Sequence, residues 1–368
     1  MSFYRLTSLL FILVLLLTAC TPASPVTPEV PTAAAKLPDS TDVPTDVAAT
    51  ETVDQTISGK LVIYSGRSEP LIQPVIDAFK AEHPEVEVLL KAGSNSEIAN
   101  ALIEEQANTQ ADLFITTELF TVQSLSQQGI FQPYRPAAAD LLPPEFVDPN
   151  NNWIGLTLRA RVIMYNTDLV APEDLPTSIF DLTDPKWKGK IAAAGSTNGS
   201  MQAQIAAMRQ LLGEEETEAW LQGLLDNEVT FFGGHTDVRK AVGAGEFALG
   251  LVNHYYYHLQ LDEGSKVGVI YPDQGDGQLG LITNATAVAV VKGAQNVPAA
   301  QAFVDFLVSE QGQKIFAEQN YEYPLLPGVP LREGVQPLES FRLAEVNIAE
   351  AALDSDATFD LMEKLELP

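Results

Sequence analysis

The stretch GEFALGLVNHYYYHLQLDEG, residues 245–264, sets three consecutive tyrosines between two histidines, directly after an apolar run and an asparagine. Phenol oxygens ionise near pH 10. A trivalent cation beside them favours the phenolate, because a bound ion inverts the local pKa logic. Hard, highly charged cations take oxygen ligands, so Fe3+ is the guest that suits a phenolate pair. His254 and His258 stand four residues apart, the spacing that chelates a divalent metal from one helix face. No glutamate follows His254 and the chain has only four histidines, so a flanking role suits them better. The tyrosines equally suit rings half-buried in a core with wet hydroxyls, and residue chemistry leaves both readings open.

Three other stretches carry polar groups where a site is expected. The loop around Ser196, Thr197, Asn198 and Gly199 lies between an apolar run and a helical pattern. Free N–H groups and hydroxyls at a helix start bind anions, and a plain helix cap is the alternative. YSGRSEPL places Arg67, Ser68 and Glu69, and ADLFITTE places Glu118, at the ends of apolar runs. An arginine and a carboxylate there could serve a cation and its companion anion; surface turns are the plainer reading. No nucleophilic triad, P-loop or zinc-hydrolase helix is present. GHTD reads as a helix entry, and His235 has no evident partner.

The elements that position these groups alternate. KLVIYSG, EVEVLLKAG and ADLFITTE read as strands, each followed by a helical pattern, which predicts a parallel, helix-covered sheet. ARVIMYN, the end of DPKWKGKIAAAG, EFALGLVN, KVGVIYP and GLITNATAVAVVKG continue the strands. Asn253 is a suitable N-cap, so HYYYHLQL is predicted to open a helix. VPAAQAFVDFLVSEQGQKIFAEQ is predicted as one long amphipathic helix, and LESFRLAEVNIAEAALD as further helix. Two α/β lobes are the simplest packing of these units. Ligands in such sheets bind beyond the carboxyl ends of strands, where the tyrosines fall.

The 368 residues carry 21 Lys+Arg against 49 Asp+Glu, a net charge of −28. That composition disfavours a nucleic-acid binder, which needs clustered cations. Arg5 precedes the apolar run LLFILVLLL, too short to span a bilayer. LTAC follows it and resembles the bacterial lipobox, which implies cleavage before Cys20 and its acylation. Cys20 is the chain's single cysteine, which removes disulfides and thiolate metal sites. Residues 1–19 are thus expected to be a lipoprotein signal peptide and 20–57 a Pro/Thr-rich disordered tether.

Together YSGRSEPL, ADLFITTE, LRARVIMYN, DLTDPKWKGKI, GGHTDVRKAVGAGE and ALGLVNHYYYH resemble the ferric-ion substrate-binding proteins of bacterial ABC transporters, within the type II periplasmic-binding-protein fold. The resemblance implies two hinge-connected α/β sandwich lobes: residues 58–158 in lobe 1, 159–280 in lobe 2, and 281–368 returning to lobe 1 with C-terminal helices. By the same resemblance the iron ligands fall on Tyr255 and Tyr256, with Tyr257 a bystander. Glu118 sits where some members place a carboxylate ligand. Ser68 stands where others have a histidine, and Glu69 beside it is a candidate substitute. No third tyrosine occupies the loop at 196–201, which fits members that hold a synergistic carbonate or phosphate; Arg159 matches an arginine that contacts that anion. The implied function is capture of Fe3+ by a monomeric, membrane-anchored lipoprotein facing the periplasm or cell exterior, with delivery to an ABC permease and ATPase complex and no bond made or broken. Alternatives are a binding protein of the same fold for an anion or polyamine, and a secreted divalent-metal hydrolase using His254 and His258.

Overall fold

The structure, a computed structural model, describes residues 57–368. The signal segment, Cys20 and the tether up to residue 56 lie outside the described residues.

The first lobe opens with β1 (Gly59–Ser65), α1 (Glu69–Glu82), β2 (Val86–Ala92), α2 (Asn95–Glu104), β3 (Leu113–Thr116), α3 (Leu119–Gln127) and β4 (Phe131–Gln132). β1 lies between β2 and β3, parallel to both. α1 turns Leu71, Ile72, Val75, Ile76 and Phe79 inward at helical spacing. α2 starts on a reciprocal cap, with Ser94 accepting from the Glu97 N–H and the Glu97 carboxylate accepting from the Ser94 N–H; this satisfies two orphan donors of the first turn.

Then β5 (Ile154–Asn166) leads to β6 (Ile191–Ala194), α4 (Gly199–Leu212), α5 (Glu214–Asp226), β7 (Thr230–Phe232), α6 (His235–Gly243), β8 (Leu249–Asn253), α7 (His254–Asp262) and β9 (Val267–Ile270). The chain returns through β10 (Thr283–Val291), α8 (Val297–Val308), α9 (Glu310–Asn320) and β11 (Tyr323–Pro324), and ends with α10 (Ile348–Leu353) and α11 (Ser355–Lys364). The strand order is β2-β1-β3-β10-β5-β8-β6-β7. Thirteen-residue β5 is the spine: its first half pairs with β10 and β11, its second half with β8 and β9. One core gathers around Leu61, Ile63, Phe79, Phe303 and Phe316, and another around Leu182, Ile205, Trp220 and Leu249. Among the described residues no helix is long and apolar enough to cross a membrane.

Three expectations differ from the structure. The sheet is mixed, because β10 runs antiparallel to both β3 and β5. The single helix expected over 297–319 is two helices: Ser309 is extended (φ −70°, ψ 163°) and its hydroxyl accepts from the Gly312 N–H, restarting the chain as α9. Of the helix expected over 338–354, only Ile348–Leu353 is α-helical. The segment before it is drawn out beside Leu281, which donates to Arg342 O at 2.8 Å and accepts from Ala344 N at 3.0 Å; those groups are therefore not free for helical bonding.

A buried ion pair ties the corner after β1 to the crossing strands. Glu322 accepts from both Nη atoms of Arg67 and from Thr157 on β5, while Arg67 Nη1 also donates to Thr286 on β10 at 3.1 Å. Burial alone would raise the Glu322 carboxyl, but the charge and hydrogen bonds of Arg67 hold it below its usual value. Replacing Glu322 with Gln strands the Arg67 charge. The expected loss is about 3–5 kcal/mol, the usual effect of breaking a buried pair, read as a lower denaturant midpoint.

Candidate functional site

Six parallel strands, three from each lobe, end around one cavity of about 330 Å³. β1, β2 and β3 deliver Arg67 and Ser68, Gly93 to Asn95, and Thr117; β6, β7 and β8 deliver Thr197 to Ser200, Gly233 to Thr236, and Tyr255 with Tyr256. Open α/β sheets bind ligands at such carboxyl ends because the helices that follow present free N–H groups there. The cavity wall holds no aspartate or glutamate; its charged or titratable members are Arg67, His235 and the two tyrosines.

Tyr255 and Tyr256 occupy the first turn of α7 and are 3% and 8% exposed. Their rings lie 4.3 Å apart and tilted by 33°, and both line the cavity. Burial and then the Tyr255 neighbour push the Tyr256 phenol well above 10, while Arg67 and Arg159 pull the other way. Without a cation the Tyr256 phenol therefore keeps its proton. Tyr257 is outside the lining and packs, half-buried, against the core that includes Val162, Val252 and Val267.

Behind the tyrosines, Arg159 and Arg161 project from β5, two residues apart and so on the same face; each is 1% exposed. Arg161 donates through Nε to Gln204 at 2.9 Å and through Nη1 to Asn253 Oδ1 at 3.1 Å. Burial brings its guanidinium down to about 9. Arg159 Nε and Nη2 and Arg161 Nη2 have no hydrogen-bond partner among the described residues. Asn253 sits at the N-cap position of α7 but makes no capping bond. Its side chain accepts from Arg161 and donates to Ser200 Oγ at 3.1 Å instead. The expected cap is thus diverted into the network under the cavity.

Sequence reasoning left His235 without a partner. It opens α6, edge-on to Tyr256 at 5.2 Å, with Nε2 3.0 Å from Arg161 Nη1. A guanidinium only donates, so Nε2 accepts and the ring is neutral; burial, then Arg161 and Arg159, hold it well below 6.5. Its position just past β7 is the sequence signal that could have found it. His254 is used up by the fold: Nδ1 accepts from Ala160 N at 3.2 Å and Nε2 donates to Tyr321 O at 2.8 Å. His258 stacks on Tyr321 at 4.7 Å. Among the described residues no group of three His, Cys, Asp or Glu is placed to hold a metal.

The carboxylates expected beside the site lie elsewhere. Glu69 is exposed at the first position of α1 and outside the cavity lining. Glu118, fully buried, caps α3 by accepting from Thr121 N and also accepts from Asn95 Nδ2 at 2.7 Å; it too is outside the lining. In the expected anion loop, Asn198 caps α4 through Ser200 N at 3.0 Å. Thr197, Asn198 and Gly199 face the cavity, whereas Ser196 does not, its N–H donating to Pro368 O at 2.6 Å.

Residues 108–342 match the family model described as bacterial extracellular solute-binding protein. Iron uptake protein A1 of Synechocystis sp. is 37% identical over 290 residues, 76% of this chain and 79% of its own. The Fe(3+)-binding periplasmic protein of Serratia marcescens is 30% identical over 316 residues, 83% and 90% of the two chains. The crystal structure of iron-bound HitA from Pseudomonas aeruginosa superposes with a TM-score of 0.76 at 29% identity, covering 83% of this chain and 98% of that one.

The Glu118 environment predicts a pH effect on folding. Burial, partly opposed by hydrogen bonds from Thr121, raises its carboxyl from 4.5 to about 7. The native state then binds this proton more tightly than the unfolded chain. The group's stabilising contribution is full below its unfolded value and is lost as pH rises through about 7, a span on the order of 3 kcal/mol. Glu118→Gln should therefore gain stability relative to wild type as pH rises, measured by denaturant unfolding of the iron-free protein from acid to mildly alkaline pH.

Proposed function

Since the chain belongs to the bacterial extracellular solute-binding protein family, we propose that it captures Fe3+ between its lobes outside the cytoplasm and hands it to an ABC permease and its ATPase. The observation that carries this reading is the pair of buried, converging phenols, Tyr255 and Tyr256, in a cleft without carboxylates. Ferric ion is hard and prefers oxygen donors; its charge opposes the burial that raises the Tyr256 phenol. Relatives named for iron uptake and Fe(3+) binding support the same cargo.

Two phenolates leave one positive charge on the ion, beside two further buried cations. The remaining coordination therefore falls to a small oxyanion such as carbonate or phosphate. Thr197, Asn198 and Gly199 supply hydroxyl, amide and backbone donors on the cavity wall; Arg159 lies outside that wall, and its N–H groups without a partner among the described residues add positive charge behind it. Glu69 and Glu118 drop out of the proposed ligand set, because neither reaches the cavity. Transport needs no bond made or broken: the lobes exclude water, suppress hydrolysis of the ion and present a closed shape to the permease. Acylation of Cys20 would hold a monomer at the membrane surface. A polyamine guest fits poorly, for it would meet Arg67 and no carboxylate. A purely anionic solute is the second reading, favoured by that same wall.

Titration with ferric citrate separates them. The iron-free protein should develop a visible phenolate-to-iron charge-transfer band that saturates near one equivalent, and Tyr255→Phe with Tyr256→Phe should abolish it. No band in the wild type defeats the iron reading; a band that survives both substitutions defeats the site assignment. Cys20→Ser should move the protein from the membrane to the soluble fraction.

A further inference from the structure

We infer that Gly199 is the closing contact between the lobes, and that its missing side chain sets how long the cargo is held; the inference rests on the capture reading above. Gly199 is the first residue of α4 on lobe 2, placed there by the Asn198 cap. Across the cleft stands a polar knot on lobe 1. Asn95 Oδ1 accepts from Thr116 Oγ1 at 3.1 Å and from Thr117 N at 3.2 Å, while Asn95 Nδ2 donates to Glu118 at 2.7 Å and to Thr121 Oγ1 at 3.1 Å. Every polar atom of the Asn95 side chain is thus committed, which fixes the surface it presents.

A methyl group at Gly199 would stand 2.8 Å from Thr117 Oγ1, 3.0 Å from Asn95 Nδ2 and 3.1 Å from Glu118 Cγ. Its backbone is not in the left-handed region that favours glycine, so the requirement comes from the opposite lobe and not from local conformation. One turn further along α4, Gln202 Nε2 donates to Ser96 Oγ at 3.0 Å. The two contacts define a seat: Gly199 against Asn95 and Thr117, Gln202 against Ser96. The seat also brings the positive end of the α4 dipole toward the Glu118 carboxylate, a favourable arrangement. When it forms, the loop with Thr197 and Asn198 is drawn over the cavity. The rigid Asn95 knot explains why lobe 1 buries a glutamate that lies outside the cavity lining.

The test is made on the full-length protein loaded with ferric iron. Gly199→Ala is expected to release iron to excess EDTA about tenfold faster, because overpacking a tight contact disfavours the closed form; Gly199→Val should do so further. Small-angle scattering of the loaded variants should give a larger radius of gyration than wild type. The melting midpoint of the iron-free protein should stay at its wild-type value. Removing the opposing hydroxyl, in Gly199→Ala with Thr117→Ala, should slow release again relative to Gly199→Ala alone. Wild-type release from Gly199→Val, faster release without a change in scattering, or no recovery in the double variant would each overturn the inference while leaving iron capture intact. A wild-type protein that forms no charge-transfer band overturns the capture reading, and the seat as a determinant of iron retention falls with it.

Discussion

Two guanidinium groups lie buried behind a pair of phenols, and among the described residues no carboxylate forms a salt bridge with either. Isolated buried charges cost several kcal/mol each, and Arg159 has two nitrogens, Nε and Nη2, without a partner among the described residues. Folding tolerates this because β5 is fixed on both edges by other strands, so its inward face cannot turn away. The same positive field favours anions within the cleft. It lowers the cost of ionising Tyr256. The third arginine of the group, Arg67, differs in having Glu322 as its partner, and that pair holds the corner after β1 to the crossing strands.

The geometry of the cleft follows from strand polarity. Each lobe sends three parallel strands toward the same gap, and each ends where a helix or loop presents N–H groups. α7 therefore has two duties. Its first turn carries the phenols into the cavity, while His254 and His258 on its other side engage Tyr321. Both rings are buried, and desolvation drives them down, to about 3 for His254 and about 4 for His258. They act as neutral packing and hydrogen-bonding groups that fix how α7 leaves β8. The tyrosines owe their convergence to that anchoring as much as to their adjacency.

A buried network of Arg161, Gln204, Asn253, Ser200 and His235 runs under the lobe-2 wall. It joins the starts of α4 and α6 to the end of β8, three segments that sequence places far apart. The network cross-links those three segments into one hydrogen-bonded unit behind the cavity.

The alternation of apolar runs with helical patterns was enough to read two α/β lobes, because period and buried-strand composition are local properties. The tyrosine pair was legible for the same reason: a strand end, a helix start and two adjacent phenols all lie within ten residues. What the sequence could not determine by itself was anything that depends on which distant groups meet. Glu69 and Glu118 have the right chemistry at strand ends, yet one faces solvent and the other is committed to Asn95 and Thr121. His235 gains its role only when β5 brings Arg161 beside it, and Asn253 loses its capping bond to that same arginine. The break at Ser309 turns on a close helix–helix corner and not on periodicity. Local patterning determined the elements and the phenol pair; tertiary packing alone decided which charges are paired, which donors are left free and where the lobes touch, because those are properties of residues up to 255 positions apart in the chain.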